Sequence, residues 1–176
     1  MVHVADALSA SGIAYLLAGS FSSNYYGIPR STKDADFVVQ LRGGVGADFV
    51  ARLGPDFEAE AQLTFETNTG TYRQLIRHLR SPFKTELFQL SSDPHDQARF
   101  RRKVEVPLFD RRLWLPTAED VIIMKLRWGR GRDQDDVRGV LAVQGGRLDW
   151  PYIEEWCELH RTRALLEQVR KSVPEP

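Results

Sequence analysis

The sequence predicts an α+β protein, and three observations carry that expectation. Short apolar or alternating runs that read as strands are interleaved with helix-period segments up to Pro116. Beyond Pro116 only helical patterns follow. No segment repeats, and none is of low complexity. Residues 1–116 are therefore expected to form a core with a mixed sheet and flanking helices. Residues 117–176 are expected to be a C-terminal helical subdomain packed with that core as one unit. At 176 residues the chain is long enough to bury a core without staples.

The elements follow in order. Residues 4–11 have apolar positions at helical spacing, and Gly12 ends them. The run AYLLA (14–18) reads as a buried strand. Gly19-Ser20 is a turn, with Ser20 as the expected N-cap of a helix over 21–26, stopped by Gly27-Ile28-Pro29. DFVVQL (36–41) is a second strand, broken by Gly43-Gly44, and 46–53 is a helix. Residues 57–64, 71–79 and 84–90 are strand candidates; Tyr72, Leu75 and Leu79 give the middle one a helical alternative. A short polar helix is expected over 93–102, then a hairpin of 103–109 and 111–115 around Asp110-Arg111. Thr117 caps a helix over 118–128, with Asp120 three residues on as a capping-box variant. Helices near 133–143, 151–160 and 162–172 complete the chain, Pro151 suiting a first turn and the tail past Lys171 fraying.

Composition narrows the function classes. Lys+Arg and Asp+Glu both number 24, so bulk charge does not favour a general nucleic-acid or membrane binder. The single cysteine, Cys157, excludes a disulfide framework and a cysteine-based zinc site, and it reads as a buried small apolar residue. The first residues lack a basic, then apolar, leader pattern, and no stretch approaches the roughly 18 apolar residues of a membrane span. A soluble, cytoplasmic protein is expected, with no membrane partner.

The candidate chemistry lies in two neighbouring segments. Asp34 and Asp36 stand two apart where an apolar strand begins, and residues i and i+2 of a strand share a face. Two carboxylates that close repel unless a proton or cation lies between them, and a hard divalent cation resolves the conflict. Acid-x-acid pairs are common by chance; Glu58/Glu60 and Asp133/Asp135 repeat the spacing. What distinguishes Asp34/Asp36 is the preceding strand, Gly19-Ser20 and helix. Glycine lets a phosphate approach the backbone, the helix start offers free N–H groups, and Ser20 adds a hydroxyl. A phosphate cradle beside an acidic pair suits phosphoryl or nucleotidyl transfer.

These segments resemble a known superfamily. LLAGS (16–20), a spacer of thirteen residues and DADFVV (34–39) are similar to the signature of the polymerase-β-like nucleotidyltransferases. GIPRSTKDAD (27–36) resembles the Arg-x-Thr-x-Asp-x-Asp run of bacterial members. KTELFQL (84–90) with DPHDQARFRRKVEV (93–106), and LPTAEDVIIMKLRWGRGRDQDDVRGVL (115–141), resemble blocks of small AbiEii-type and toxin-like members. The resemblance implies the nucleotidyltransferase fold and transfer of a nucleoside monophosphate from an NTP to an acceptor hydroxyl of tRNA or protein. It implies Mg²⁺, as one or two ions with Mn²⁺ as the substitute, and a toxin component with a small antitoxin partner. By position, Gly19 and Ser20 would contact nucleotide phosphate, and Asp34 and Asp36 would ligate Mg²⁺. Glu86 would be the third carboxylate, one methylene longer than the usual Asp, as metal ligand and as aligner or base for the hydroxyl. Lys125 would reach the phosphates. Asp133 and Asp136, on one helix face, would hold Lys125 or Arg127 or position the nucleotide. Two alternatives stand beside this: a small-molecule transferase with an aminoglycoside-like acceptor, and a non-catalytic nucleotide-binding or interaction module.

The remaining charged and aromatic residues receive plainer readings. Arg99, Arg101, Arg102 and Lys103, with Arg111 and Arg112, read as a solvated face rather than a track for a polyanion. Arg127, Arg130 and Arg132, around Gly129 and Gly131, read equally as closing over phosphates or as a basic loop. His3, His78, His95 and His160 fit no ligand spacing, and the four tryptophans read as packing residues.

Overall fold

A computed structural model describes residues 1–67 and 69–173. Residues 174–176 of the tail expected to fray lie outside the described residues. The elements are α1 (Val2–Ala10), β1 (Tyr15–Leu17), α2 (Gly19–Tyr26), β2 (Asp34–Val39), α3 (Ala47–Leu53), β3 (Phe57–Ala59), β4 (Thr64–Glu66), β5 (Thr71–His78) and β6 (Lys84–Gln89). They continue with α4 (Pro94–Arg101), β7 (Val104–Leu108), β8 (Arg111–Leu115), α5 (Ala118–Trp128) and α6 (Gly131–Gln144). A 3₁₀ turn (Gly145–Arg147), α7 (Trp150–Leu159) and α8 (Arg163–Lys171) close the described chain. Mixed α and β elements precede a purely helical run.

The main sheet has the order β1-β2-β6-β5-β3, with β4 pairing β5 beside β3. Among the described residues only β2 and β6 run parallel; the other pairs are antiparallel. Strand alternation sorts the two faces. Ala35, Phe37, Val39, Ile76 and Leu87 point into the larger core, where α1 and α3 cover them with Val4, Leu8, Phe49 and Leu53. Asp34, Asp36, Val38, Glu86 and Phe88 occupy the opposite face, which carries the cleft described below.

Several local expectations are corrected. The second strand begins at Asp34, two residues early, because Asp34 to Val39 pair with Lys84 to Gln89 along their whole length. Residues 57–64 do not form one strand: β3 and β4 pair separate stretches of β5, interrupted at 60–63. The helical alternative for 71–79 loses to pairing on both edges of β5. Ser20 is not the N-cap of α2; the helix starts at Gly19, with Ala18 in the cap position. Ser22 and Ser23 instead donate back to the Gly19 carbonyl, at 3.0 and 3.4 Å. The hairpin turn is Phe109-Asp110, both at positive φ, the twist a two-residue loop demands.

A second cluster forms under α5 to α8 from Ile122, Leu126, Val137, Val140, Ile153 and Leu166. Tyr26, at the end of α2, packs against both clusters. At the seam two backbones nearly touch. A Cβ on Gly27 would lie 2.7 Å from the Val140 nitrogen, and one on Gly139 would lie 3.0 Å from the Ile28 nitrogen. A further clasp is Asp120, fully buried, whose capping box is only half formed. The Asp120 amide donates to Thr117 Oγ1 (3.3 Å), but the carboxylate turns inward. It accepts Tyr152 OH at 2.9 Å and Thr117 Oγ1 at 3.0 Å, and lies 3.2 Å from His95 Nε2. Burial alone would raise the Asp120 pKa; the partners His95, Tyr152 and Thr117 bring it below its ordinary value. Among the described residues no helix is long and apolar enough to cross a membrane.

The Gly27 seam generates a test. Gly27→Ala should destabilise by about 1–3 kcal/mol, because the neighbour is backbone that cannot yield. Melting should fall by about 5 °C. Gly131→Ala, with nothing within 4 Å of its Cβ, should cost nothing. Equal melting of all three proteins would show that the seam does not set the stability.

Candidate active site

The parallel register puts Asp36 directly beside Glu86, with Asp34 beside Lys84. Asp34 and Asp36 share the cleft face of β2, and Thr32 Oγ1 donates to Asp34 Oδ1 at 2.8 Å. Gly19 passes over Asp36. The Ala18 amide donates to the Asp36 carbonyl at 2.7 Å, and Gly19 adopts φ +61. A Cβ there would fall 2.0 Å from Asp36 Oδ2, so only glycine lets the start of α2 come this close to the acid.

Across the cleft stands a cation held by its own counter-ions. Lys125, only 3% exposed, donates from Nζ to Asp136 Oδ2 at 2.6 Å and to Asp133 Oδ1 at 3.1 Å. Asp136 also takes a bidentate fork from Arg30, Nε to Oδ1 at 2.6 Å and Nη2 to Oδ2 at 2.9 Å. Arg30 Nη2 further donates to Ser20 Oγ at 3.0 Å. Arg130 closes on Asp133 at 2.5 and 3.2 Å.

These groups line one cleft of about 330 Å³. Gly19, Ser20, Asp34, Asp36, Glu86 and Lys125 all border it. Asp133 and Asp136 do not; they sit behind Lys125 and fix it. They hold Lys125 rather than Arg127, whose Nη2 donates to Asp93 at 2.8 Å. Glu86 is ion-paired with Arg73, which also reaches toward Glu66 at 3.8 Å. Among the described residues no three His, Cys, Asp or Glu side chains converge as a ready metal cage. Asp34 and Asp36 nonetheless suit a hard cation, being two carboxylates on one face.

Electrostatics sharpen that contrast. Burial, and then the charge of Asp34, push the Asp36 pKa up to about 6, against the pull of Lys125, Arg130 and Arg132. For Asp136 burial also raises the pKa, but the hydrogen bonds from Arg30 and Lys125 overcome it and hold the carboxyl below its ordinary value. One acid is satisfied; the other is poised for a counter-charge.

Sequence reading passes over four contributors. Arg30 lies inside the Arg-x-Thr-x-Asp-x-Asp run, so its signal is present. Arg73 gives none, because its place beside Glu86 depends on how β5 pairs with β6. Trp128 borders the cleft with Arg130 5.3 Å from its ring centre, so it is not only a packing residue. Arg99, expected on a solvated face, is buried and paired with Asp96. His95 is fully buried between Asp120 and Met124, away from the cleft. Cys157 is buried.

No protein-family profile matches the chain, and no curated relative does. Solved structures do match over nearly its whole length. An antigenic nucleotidyltransferase-like protein from Paracoccidioides brasiliensis aligns with TM-score 0.54 and 18% identity, over 98% of this chain and 91% of that one. The antibiotic-resistance factor ANT(2″)-Ia in solution gives 0.58 at 12% identity, over 95% and 92%. Its crystal structure with adenylyl-2″-tobramycin gives 0.57 at 10%, over 93% and 95%. This is the nucleotidyltransferase fold. At such identities the likeness concerns the fold, so the roles of individual residues in this nucleotidyltransferase-like chain rest on its own geometry.

Two outcomes follow from that geometry. Asp36 has a raised pKa in the folded state, so its ionisation opposes folding. The cost is absent below about pH 4, grows to about pH 6 and is full above it. Asp36→Asn in a metal-free buffer should therefore melt a few degrees above wild type at pH 8, from about 2 kcal/mol, with the gap closing toward pH 4. A gap independent of pH would refute this. Asp136→Ala strands Lys125 and Arg30 and should cost about 3–5 kcal/mol, seen as a melting loss of about 10 °C or more; a loss below about 2 °C would show that the cluster is not structural.

Proposed function

We propose that the protein is a Mg²⁺-dependent nucleotidyltransferase that moves a nucleoside monophosphate from an NTP to an acceptor hydroxyl. The observation that carries this reading is Gly19 lying against Asp36, with Asp34 on the same strand face and the fixed Lys125 across the cleft. Asp34 and Asp36 would hold the metal, with Glu86 as the third carboxylate at its side. Bound Mg²⁺ would neutralise the polyphosphate and, as a Lewis acid on its phosphoryl oxygens, make the phosphorus more electrophilic.

The chain's own groups do the rest. The start of α2, with Gly19 and Ser20, offers N–H and hydroxyl donors to phosphate. Lys125 supplies a point charge that Asp133 and Asp136 prevent from swinging away. The acceptor oxygen forms a bond to the α-phosphorus as the bond to the β-phosphate oxygen breaks, and pyrophosphate leaves. Glu86 would align the hydroxyl and take its proton. Arg73, paired with it, fixes its position.

For the acceptor, the sequence resemblance favours tRNA or protein, and with it a toxin component that has a small antitoxin partner. A second reading, adenylylation of an aminoglycoside-like molecule, draws support from the fold shared with ANT(2″)-Ia. Calorimetry with Mg²⁺ and each NTP should show binding that Asp36→Asn weakens at least about tenfold. Mg²⁺ should raise the melting temperature of wild type but not of Asp36→Asn. No binding of any NTP by wild type would sink the enzyme reading and leave the interaction module. NTP labelled at the α-phosphate, offered with RNA, protein and aminoglycoside pools, then identifies the acceptor.

A further inference from the structure

We infer that Trp128 is the platform on which the base of the bound nucleotide stacks, and that it favours a purine. The inference rests on the transfer reading above and adds to it the residue that meets the base.

The first observation is that this indole has no place in the packing of the fold. Trp128, the last residue of α5, is half-buried and borders the cleft. It joins none of the three apolar clusters formed by the described residues, whereas Trp114, Trp150 and Trp156 each pack against one. Phe88, the other aromatic ring on the cleft, packs against the cluster of Leu16, Ala18, Val38 and Phe100. An indole is a large apolar surface, and one left at a cleft carries a hydration cost that stacking on a ligand removes.

The second observation is that one side of the ring is taken and the other is not. Lys125 Nζ lies 5.5 Å from the ring centre and the Arg130 guanidinium carbon 5.3 Å from it. Both cations meet the same oxygen, Asp133 Oδ1, at 3.1 and 3.2 Å, which puts them on one side of the indole. Among the described residues the ring has no other ring or cation partner. The two cations therefore hold the indole by its π-cloud and leave the opposite face for a second flat ring.

Position says which ring that is. Lys125 and Trp128 stand three apart on α5 and share a face of the helix. Lys125 is the cation that reaches the nucleotide's phosphates. Only a ribose separates the α-phosphate from the base, so the base falls within a sugar's length of that cation, where Trp128 stands. Every base has a π-face, so an aromatic platform accepts all four, and preference among them follows stacking strength. The two fused rings of a purine cover an indole more fully than the single ring of a pyrimidine.

The test uses the full chain with Mg²⁺ and three probes in calorimetry: α,β-methylene analogues of ATP and CTP, and inorganic tripolyphosphate, which has no base. Wild type should bind the ATP analogue more tightly than the CTP analogue. Trp128→Ala should bind the ATP analogue at least about tenfold more weakly, with Trp128→Phe between. Its affinity for tripolyphosphate should stay within about twofold of wild type, which also shows that the variant folds. In wild type the ATP analogue should quench indole fluorescence and tripolyphosphate should not. Unchanged binding of the ATP analogue by Trp128→Ala overturns the proposal. So does an equal loss for tripolyphosphate, since the ring would then act only by propping Lys125 and Arg130. Absence of quenching by the ATP analogue, or tighter binding of the CTP analogue, overturns it as well. If wild type binds neither analogue, the transferase reading falls and the platform with it; if both bind and Trp128→Ala changes neither, the platform alone falls.

Discussion

The buried carboxylate of Asp136 is the interaction on which the site depends. It receives the fork of Arg30 and the ammonium of Lys125, so one side chain joins the α2–β2 connection, α5 and α6. Removing such charges from water is expensive, and the cost is met only where geometry is close and every partner is bonded. Here Asp133 takes the other side of Lys125 and is itself covered by Arg130. The cluster is thus a rigid abutment between the sheet and the C-terminal helices. Lys125 comes to the edge of the cleft with its direction fixed, although it is almost wholly enclosed. The glycine contacts at Gly27 and Gly139 bring α2 and α6 together just beside it.

Asp36 in the cleft and Asp136 behind Lys125 show how surroundings divide one side-chain type into two roles. Both are subject to desolvation, which opposes ionisation. Asp136 has direct cationic donors and settles below its ordinary pKa. Asp36 is buried and feels the charge of Asp34 more strongly than that of Lys125, Arg130 or Arg132, so its pKa rises. A fold does not hold an uncompensated carboxylate pair against a glycine without cost. The cost is intelligible if a cation joins the site during function. Glu86 differs again: paired with Arg73, it has its charge met from within the sheet.

Most of the element order was legible in the sequence, because alternation and helical spacing are local. The helix at 118–128 carries the cap that the sequence reading named, Thr117 accepting an amide hydrogen, whereas Asp149 caps the helix that follows the 3₁₀ turn without having been named. What failed was whatever depends on partners far along the chain. Ser20 has the chemistry of an N-cap, but Gly19 can enter the helix at positive φ, and the serine hydroxyl is claimed by Arg30. The start of β2 was misjudged because Asp34 has poor strand propensity, and pairing with β6 overrides it. In the cleft, Gly19, Ser20, Asp34 and Asp36 were named from motif spacing, and Glu86 and Lys125 from the family resemblance. Arg127, Arg130 and Arg132 were left even between cleft and loop, and Arg99 was placed on a solvated face, since an arginine in a basic run looks the same whether it faces solvent or lies buried.

The sheet register fixes where Arg73 stands. Parallel pairing of β2 with β6 lays Asp36 and Glu86 side by side, and antiparallel pairing of β5 with β6 then sets Arg73 one step beyond them on the same face. A shift of one residue in β5 would turn Arg73 to the face covered by α1 and α3, where a guanidinium would have no counter-ion among the apolar side chains. The same alternation that buries Gln74 and Ile76 therefore compels Arg73 onto the cleft side. The charge order Asp36, Glu86, Arg73, Glu66 across four strands is thus a consequence of packing the opposite face. Chemistry at the cleft and stability of the core are set by one register, and neither can be altered alone by sliding a strand.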